Sequence, residues 1–122
     1  MKQLESDIER PVCGWARDHG LLHRKLNGEG NRHWPDQEFF IPGGRPLLVE
    51  FKRPGEKPSQ AQRYVIRQLQ ERGYDVRWTD NKHAAIQWLK DRIEEARQAE
   101  TAPPARLSTA RSGVERRARR KL

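Results

Sequence analysis

The segment PDQEFFIPGGRPLLVEFK, residues 35–52, constrains the fold of this chain more than any other part of the sequence. Two short strand-like runs flank Pro42-Gly43-Gly44, and such a cluster of turn residues between apolar runs is typical of a β-hairpin. Apolar residues make up 34% of the 122 residues, so the core that this hairpin joins must be small. The segment therefore predicts a hairpin within a small sheet.

The residues before the hairpin predict one helix and one further strand. Ser6 and Glu9 have the spacing of a capping box, Pro11 is acceptable only near a helix start, and Gly20 is a typical stop. The next residues, LLHRKL at 21–26, favour a short strand. A polar, glycine-rich loop then leads to the hairpin.

The residues after the hairpin predict a helix, a strand and a last helix. Ser59 and Gln62 repeat the capping-box spacing, and Gly73 ends the helix that follows them. Residues 74–80 alternate as a half-buried strand does, with Trp78 assigned to the core. Apolar side chains then recur at helical spacing in the last predicted helix, at Ala85, Ile86, Leu89 and Ile93.

The periodicity ends near residue 97, and a basic segment follows it. Residues 98–122 contain seven basic and two acidic side chains, so they carry +5 of the formal net charge of +8. Their small, polar composition predicts a disordered tail. We therefore expect a folded domain at 1–97 and a flexible basic tail at 98–122. The order helix, strand, strand, strand, helix, strand, helix predicts an α/β domain with helices covering a small sheet.

The charge balance favours a polyanionic partner, because basic side chains gain sequence-independent affinity for phosphates through counterion release.

No apolar run is long enough for a membrane span and no charged leader precedes one, so we expect a cytoplasmic protein. Cys13 is the only cysteine, which excludes an internal disulfide and fits a reducing compartment.

Charged residues occupy the end of the second hairpin strand. Glu50 and Lys52 lie two residues apart, so in a strand their side chains project to the same face. If the strands pair around Gly43, Asp36 lies opposite Glu50 and two carboxylates converge at one edge of the sheet. Carboxylate oxygens, water and a phosphate are the ligands that Mg²⁺ prefers, and a nearby lysine can stabilise charge on the phosphate. The other interpretation is an ion pair between Glu50 and Lys52 at the surface.

The same residues resemble a nuclease signature. Pro35-Asp36, thirteen residues and then Glu50-Phe51-Lys52 are similar to the PD-(D/E)XK motif. LLVEFKRPG followed by PSQAQRYVIRQLQERGYDVRW resembles the VRR-NUC branch of that superfamily, and SDIERPVCGWARDHGLLHRKL resembles its opening helix. The similarity covers residues 5–95 and implies a restriction-endonuclease-like mixed sheet flanked by helices. One departure is the approach His33-Trp34-Pro35-Asp36, where the family has Gly-x-Pro-Asp.

The resemblance also implies a metal centre. Asp36 and Glu50 would ligate Mg²⁺ (or Mn²⁺), with the backbone carbonyl of Phe51 as a further ligand. Lys52 would act on the nucleophilic water or on the transition state.

Two more catalytic roles, for Gln62 and Glu9, follow from the resemblance alone. Gln62 would position the attacking water, the lysine or a phosphate. Glu9 would be the acid that the first helix adds to the site, with Glu5 as a competing candidate. Helix capping is the alternative explanation for both Gln62 and Glu9.

Three residues near the expected site are candidates for contact with nucleic acid: Lys25, Arg53 and Trp34. The two basic side chains could bind phosphates, and solvated surface charge is the alternative. Trp34 could stack on a base.

The resemblance implies a Mg²⁺- or Mn²⁺-dependent deoxyribonuclease that hydrolyses phosphodiester bonds. Stand-alone members of the branch are small phage proteins of DNA replication and repair that form homodimers. We therefore expect a homodimeric endonuclease acting on branched DNA such as a junction or flap, in the host cytoplasm if a phage encodes the chain. We expect neither a membrane partner nor a small-molecule substrate. The alternative is an inactive DNA-binding protein that uses the same fold and the basic tail.

Overall fold

Three helices and four strands make up the part of the chain that the computed structural model describes, residues 3–101. In chain order they are α1 (Glu5–Asp18), β1 (Leu22–Lys25), β2 (Gln37–Phe40), β3 (Leu47–Phe51), α2 (Gln60–Glu71), β4 (Asp75–Thr79) and α3 (Lys82–Thr101). The strands form one sheet in the order β1-β2-β3-β4. This arrangement confirms the predicted element order and the α/β class.

The predicted hairpin consists of β2 and β3. The two strands are antiparallel, with Gln37 opposite Val49. The turn contains Gly43 and Gly44, whose φ angles of 100° and 87° are ones that side-chain-bearing residues rarely adopt. β1 pairs antiparallel with β2, whereas β4 pairs parallel with β3 after the α2 crossover, so the sheet is mixed.

β3 is buried along its whole length because helices cover both faces of the sheet at this strand. Its odd-numbered residues pack on one face with α1 and α3. On the other face Leu48 packs against Ile66 of α2. The remaining residue, Glu50, is carried into the interior by the apolar residues on either side of it. The strand that anchors the core thus also fixes the position of a carboxylate.

α1 begins at Glu5, so Ser6 is not its cap as the spacing predicted. The Asp7 carboxylate instead accepts a hydrogen bond of 2.8 Å from the backbone N–H of Leu4. Pro11 lies inside the helix, where it removes one backbone hydrogen bond. Because the buried face of α1 packs on the core, the helix continues through this position.

Two expectations for the second half of the chain are corrected. Trp78, assigned to the core, is 37% exposed, because β4 is an edge strand of the sheet. α3 continues to Thr101, four residues past the predicted end of the domain at 97. The rest of the predicted tail lies outside the described residues. None of the helices within residues 3–101 has the length and apolar character that crossing a membrane requires.

A buried ion pair fixes α3 to the start of β4. Arg92 of α3 is 5% exposed, and its guanidinium donates to the Asp75 carboxylate at 2.5 Å and to the backbone carbonyl of Arg45. Arg77 donates two further hydrogen bonds to Asp75. Burial alone would raise the pKa of Asp75, but the hydrogen bonds from Arg77 and Arg92 outweigh it and hold that pKa below its ordinary value.

We predict that Arg92→Leu lowers the free energy of unfolding by about 3 kcal/mol, since it deprives the Asp75 carboxylate of a buried partner. Urea unfolding at neutral pH measures the change. The matched control is Arg97→Leu on the same helix, an exposed position paired with Glu94, which should change stability by less than about 1 kcal/mol. Equal effects of the two substitutions would show that apolar contacts alone hold α3.

Candidate metal centre

Three carboxyl groups from different parts of the fold meet at one end of the sheet, where β2 begins and β3 ends. Glu5 is the first residue of α1, Asp36 directly precedes β2, and Glu50 lies in β3. One oxygen from each group lies within 4.8 Å of the other two. The structure thus brings Asp36 and Glu50 together, as the symmetry of the hairpin predicts, and adds Glu5. We call these three residues the carboxylate cluster.

The hairpin register explains the meeting of Asp36 and Glu50. Gln37 pairs with Val49, so the next step outward places Asp36 opposite Glu50. Opposite residues of an antiparallel pair project to the same face. Two backbone contacts hold this geometry: the Asp36 N–H donates to the Val49 carbonyl at 3.0 Å, and the Phe51 N–H donates to Asp36 Oδ2 at 2.7 Å.

The Glu50 carboxylate is buried without a hydrogen-bond donor. Its residue is 1% exposed, and neither oxygen has a partner. Burial, and then the neighbouring Asp36 carboxyl, raise the pKa of Glu50 to about 9, although the charge of Lys52 opposes the rise. An ionised carboxylate in such surroundings is unfavourable unless a cation compensates for it.

Lys52 lies beside the carboxylate cluster. Its backbone N–H donates to the Thr79 carbonyl at 2.9 Å, which fixes the end of β3 against β4. Its positive charge opposes the rise in the pKa of Glu5 and of Glu50. Within residues 3–101 the ammonium forms no ion pair with a carboxylate. The structure therefore does not contain the surface pair of Glu50 and Lys52 that was the alternative interpretation.

Asn27, in the loop between β1 and β2, holds Asp36 from another side. Its Nδ2 donates to Asp36 Oδ1 at 2.6 Å, while its own Oδ1 is buried without a partner. In the described part of the chain, the buried side-chain atoms without a partner are this oxygen and the two oxygens of Glu50. Sequence reasoning missed Asn27, because Asn27-Gly28 reads as a turn and no spacing relates it to Asp36.

The first helix supplies Glu5 to the carboxylate cluster, whereas Glu9 lies outside it. Glu9 Oε2 accepts a hydrogen bond of 2.7 Å from Gln37, whose Oε1 is bonded in turn to His23 Nδ1 at 3.0 Å. Burial, and then the charge of Asp36, raise the pKa of Glu5. The geometry therefore favours Glu5 over Glu9 as the acid that the first helix adds to the site, because the Glu9 carboxylate accepts a hydrogen bond from Gln37.

Gln62 serves as a helix cap. Its Oε1 accepts from the Ser59 N–H at 2.8 Å, and its own N–H donates to Ser59 Oγ at 3.1 Å. This confirms the second capping box. A catalytic role for Gln62 stays a prediction.

The three candidates for nucleic-acid contact differ in how exposed they are and in whether they already have a partner. Lys25 is exposed on the edge strand β1. Arg53 is half-buried, and its guanidinium is paired with Glu56. Trp34 is half-buried and lines a cleft against α2. Lys25 and Trp34 are therefore better placed than Arg53 to meet a ligand.

The carboxylate cluster fits a hard divalent cation. Magnesium and manganese prefer oxygen ligands, and the orphaned oxygens of Glu50 and Asn27 have no donor that a cation would displace. Glu5, Asp36 and Glu50 would hold the ion, and a contribution from the Phe51 carbonyl stays a prediction. Cys13 lies outside the carboxylate cluster, and burial raises the pKa of its thiol to about 11.

We predict that Glu50→Gln stabilises the metal-free protein at pH 8 by about 1–2 kcal/mol, because the folded wild type keeps the Glu50 carboxyl protonated at a pH where the unfolded chain ionises it. The folded-state pKa of Glu50 is raised, so its contribution to stability is present below the ordinary carboxyl pKa and is lost as pH rises toward 9. Urea unfolding in EDTA at pH 5 and pH 8 should show the wild type losing stability relative to the variant. A wild type that is the more stable protein at pH 8 would contradict the proposed strain.

We also predict that Asn27→Ala weakens binding of Mn²⁺ about tenfold, since outer partners that orient metal ligands contribute affinity of this order. Calorimetric titration of the metal-free protein measures the change. Asn31→Ala, at an exposed position in the same loop, is the control and should leave the affinity unaltered. An unchanged affinity in Asn27→Ala would mean that the Phe51 N–H alone orients Asp36.

Two solved structures share this fold. One, described as a VRR_NUC domain, is 26% identical with a TM-score of 0.56, and the match covers 67% of this chain and 94% of that one. The other, a VRR_NUC domain protein, is 16% identical with a TM-score of 0.64 and coverages of 77% and 91%. At 16% identity the second likeness concerns the fold alone.

A phage protein is similar in sequence. It is the candidate nuclease p44 of Acyrthosiphon pisum secondary endosymbiont phage 1, 36% identical over 58 residues, which are 48% of this chain and 62% of the relative. The chain thus spans less than two thirds of that relative's length. No family model matches the sequence. The similar sequence is named a nuclease and the similar structures are named VRR_NUC domains, so the two comparisons point to the same kind of protein.

Proposed function

We propose that this chain is a VRR-NUC domain protein and a metal-dependent nuclease that hydrolyses phosphodiester bonds in DNA. The observation that carries the proposal is the carboxylate cluster, whose three groups lie within 4.8 Å of one another. Its geometry supports a divalent-cation site, Mg²⁺ or Mn²⁺, at this end of the sheet. The name of the similar phage protein supports the reaction class.

A bound divalent cation would supply Lewis-acid activation of water and partial neutralisation of the phosphate charge. Asp36 and Glu50 would fix the ion on the rigid hairpin, and Glu5 would close the ligand set from α1. Asn27 and the Phe51 N–H keep Asp36 in place for this role.

Lys52 would stabilise the negative charge that develops on the phosphoryl oxygens. Its ammonium has no carboxylate partner in the described part of the chain, so binding a phosphate would break no ion pair. A preorganised cation at a developing charge is among the larger contributions to catalysis. Lys25 would add a phosphate contact at the adjacent sheet edge.

We propose a homodimer acting on branched DNA, a junction or flap, in phage replication and repair within the host cytoplasm. The net charge of +8 supports binding to DNA, and the basic residues after 101 would track phosphates without sequence preference.

The experiment is cleavage of labelled linear, flap and four-way-junction DNA with Mg²⁺, with Mn²⁺ and with EDTA. We expect cleavage only with metal, and a loss of at least about 100-fold in Asp36→Asn, Glu50→Gln and Lys52→Met, since each change removes a charge at the reacting phosphate or the ion. Glu5→Gln should lose more activity than Glu9→Gln, one helical turn away.

The control for these variants is Glu38→Gln on β2, which loses only the ion pair with Arg24 at the surface and should keep its activity. Cleavage that survives in Glu50→Gln would contradict the assignment of the site. Salt-sensitive DNA binding without metal-dependent cleavage would instead identify the inactive DNA-binding protein that is the alternative.

A further inference from the structure

A groove runs between α2 and the loop that connects β1 to β2. It consists of two adjoining clefts of about 340 and 370 Å³ that share Trp34 and Val65 as walls. Tyr64 and Arg72 line the first cleft, and Arg32 lines the second. We call this feature the Trp34 groove.

Aromatic side chains give the Trp34 groove exposed flat surfaces. Tyr64 is 61% exposed although it lies in the middle of a packed helix, and Trp34 is half-buried on the facing loop. Leu69 lies at the floor and packs against the core beneath α2. Exposed aromatic faces above an apolar floor are suited to stacking with planar groups, and nucleobases are the planar groups that DNA presents.

The charged side chains that line the Trp34 groove are all basic. None of the residues that line its two clefts is acidic. Arg32 and Arg72 are exposed, and within residues 3–101 neither forms an ion pair with a carboxylate. Arg72 is held over the groove by hydrogen bonds of 2.9 and 2.8 Å to the backbone and side-chain oxygens of Gln68. Unpaired guanidinium groups beside aromatic rings favour an anionic, aromatic ligand.

The Trp34 groove lies close to the carboxylate cluster along the backbone. Trp34 is separated from Asp36 by the buried Pro35 alone, so their Cα atoms are at most about 7 Å apart. The Leu26 N–H donates to the Asp36 carbonyl at 2.8 Å, which ties the start of the loop to the same point. A strand whose phosphate lies at the cluster would therefore reach Trp34 with a neighbouring nucleotide.

We propose that the Trp34 groove binds an unpaired strand of the DNA substrate next to the scissile phosphate. Trp34 and Tyr64 stack with its bases, and Arg32 and Arg72 contact its phosphates. This inference rests on the proposed nuclease function and deepens it. The substrate class is DNA that carries a single-stranded segment beside the cut, because a paired strand cannot offer its base faces to the two rings.

The test measures binding of the full chain in EDTA to a fluorescent thymidine oligonucleotide and to a duplex of equal length, by fluorescence anisotropy. Tyr64→Ala should bind the single strand about tenfold more weakly and the duplex as the wild type does. Tyr64→Phe keeps the ring and should keep the affinity. Tyr74→Ala is the matched control, a tyrosine 51% exposed that does not line the groove, and it should change neither affinity.

Two outcomes would overturn the inference. One is single-strand affinity in Tyr64→Ala equal to that of the wild type. The other is a change in oligomeric state of Tyr64→Ala by light scattering, which would make the groove a contact between copies of the chain. Metal-dependent cleavage of flap DNA by the wild type separates this result from the nuclease proposal, which fails if the wild type does not cleave with metal or if Glu50→Gln cleaves as the wild type does.

Discussion

The burial of Glu50 beside Asp36 is the interaction on which the rest of the structure depends. A carboxylate that is 1% exposed and has no donor is unfavourable, yet it lies in the most deeply buried strand of the sheet. The apolar residues of β3 hold it there. The folded state therefore contains an unfavourable buried carboxylate that a bound cation would stabilise. Strain of this kind at a functional site is compensated by packing elsewhere in the fold.

The geometry of the site follows from the sheet. Antiparallel pairing of β2 and β3 places Asp36 opposite Glu50, and parallel pairing of β3 with β4 fixes Lys52 at the same edge. α1 contributes through its first residue alone, Glu5. Because the two hairpin carboxylates lie on rigid neighbouring strands, their separation is set by backbone hydrogen bonds rather than by flexible loops.

Much of this could be predicted from the sequence, because the decisive signals are local. The Pro42-Gly43-Gly44 turn sets the hairpin register, and the register alone brings Asp36 to Glu50. What could not be predicted depends on contacts between distant elements. Glu5 and Glu9 share a helix face, and their roles differ because Glu5 reaches the carboxylate cluster whereas Glu9 lies outside it and accepts a hydrogen bond from Gln37. In the same way, Asn27 reaches Asp36 across a loop, and Tyr64 lines the same cleft as Trp34, thirty positions away in the sequence.

The most direct test of the central claim is a crystal structure of the protein grown with Mn²⁺, with data collected for the anomalous signal of manganese. We predict an anomalous peak among the carboxylates of Glu5, Asp36 and Glu50, at distances of about 2.0–2.3 Å that are typical of carboxylate ligands to such ions. The same crystals of Glu50→Gln should lack the peak. A carboxylate cluster that remains empty at saturating Mn²⁺, whether or not manganese binds elsewhere, would contradict the account.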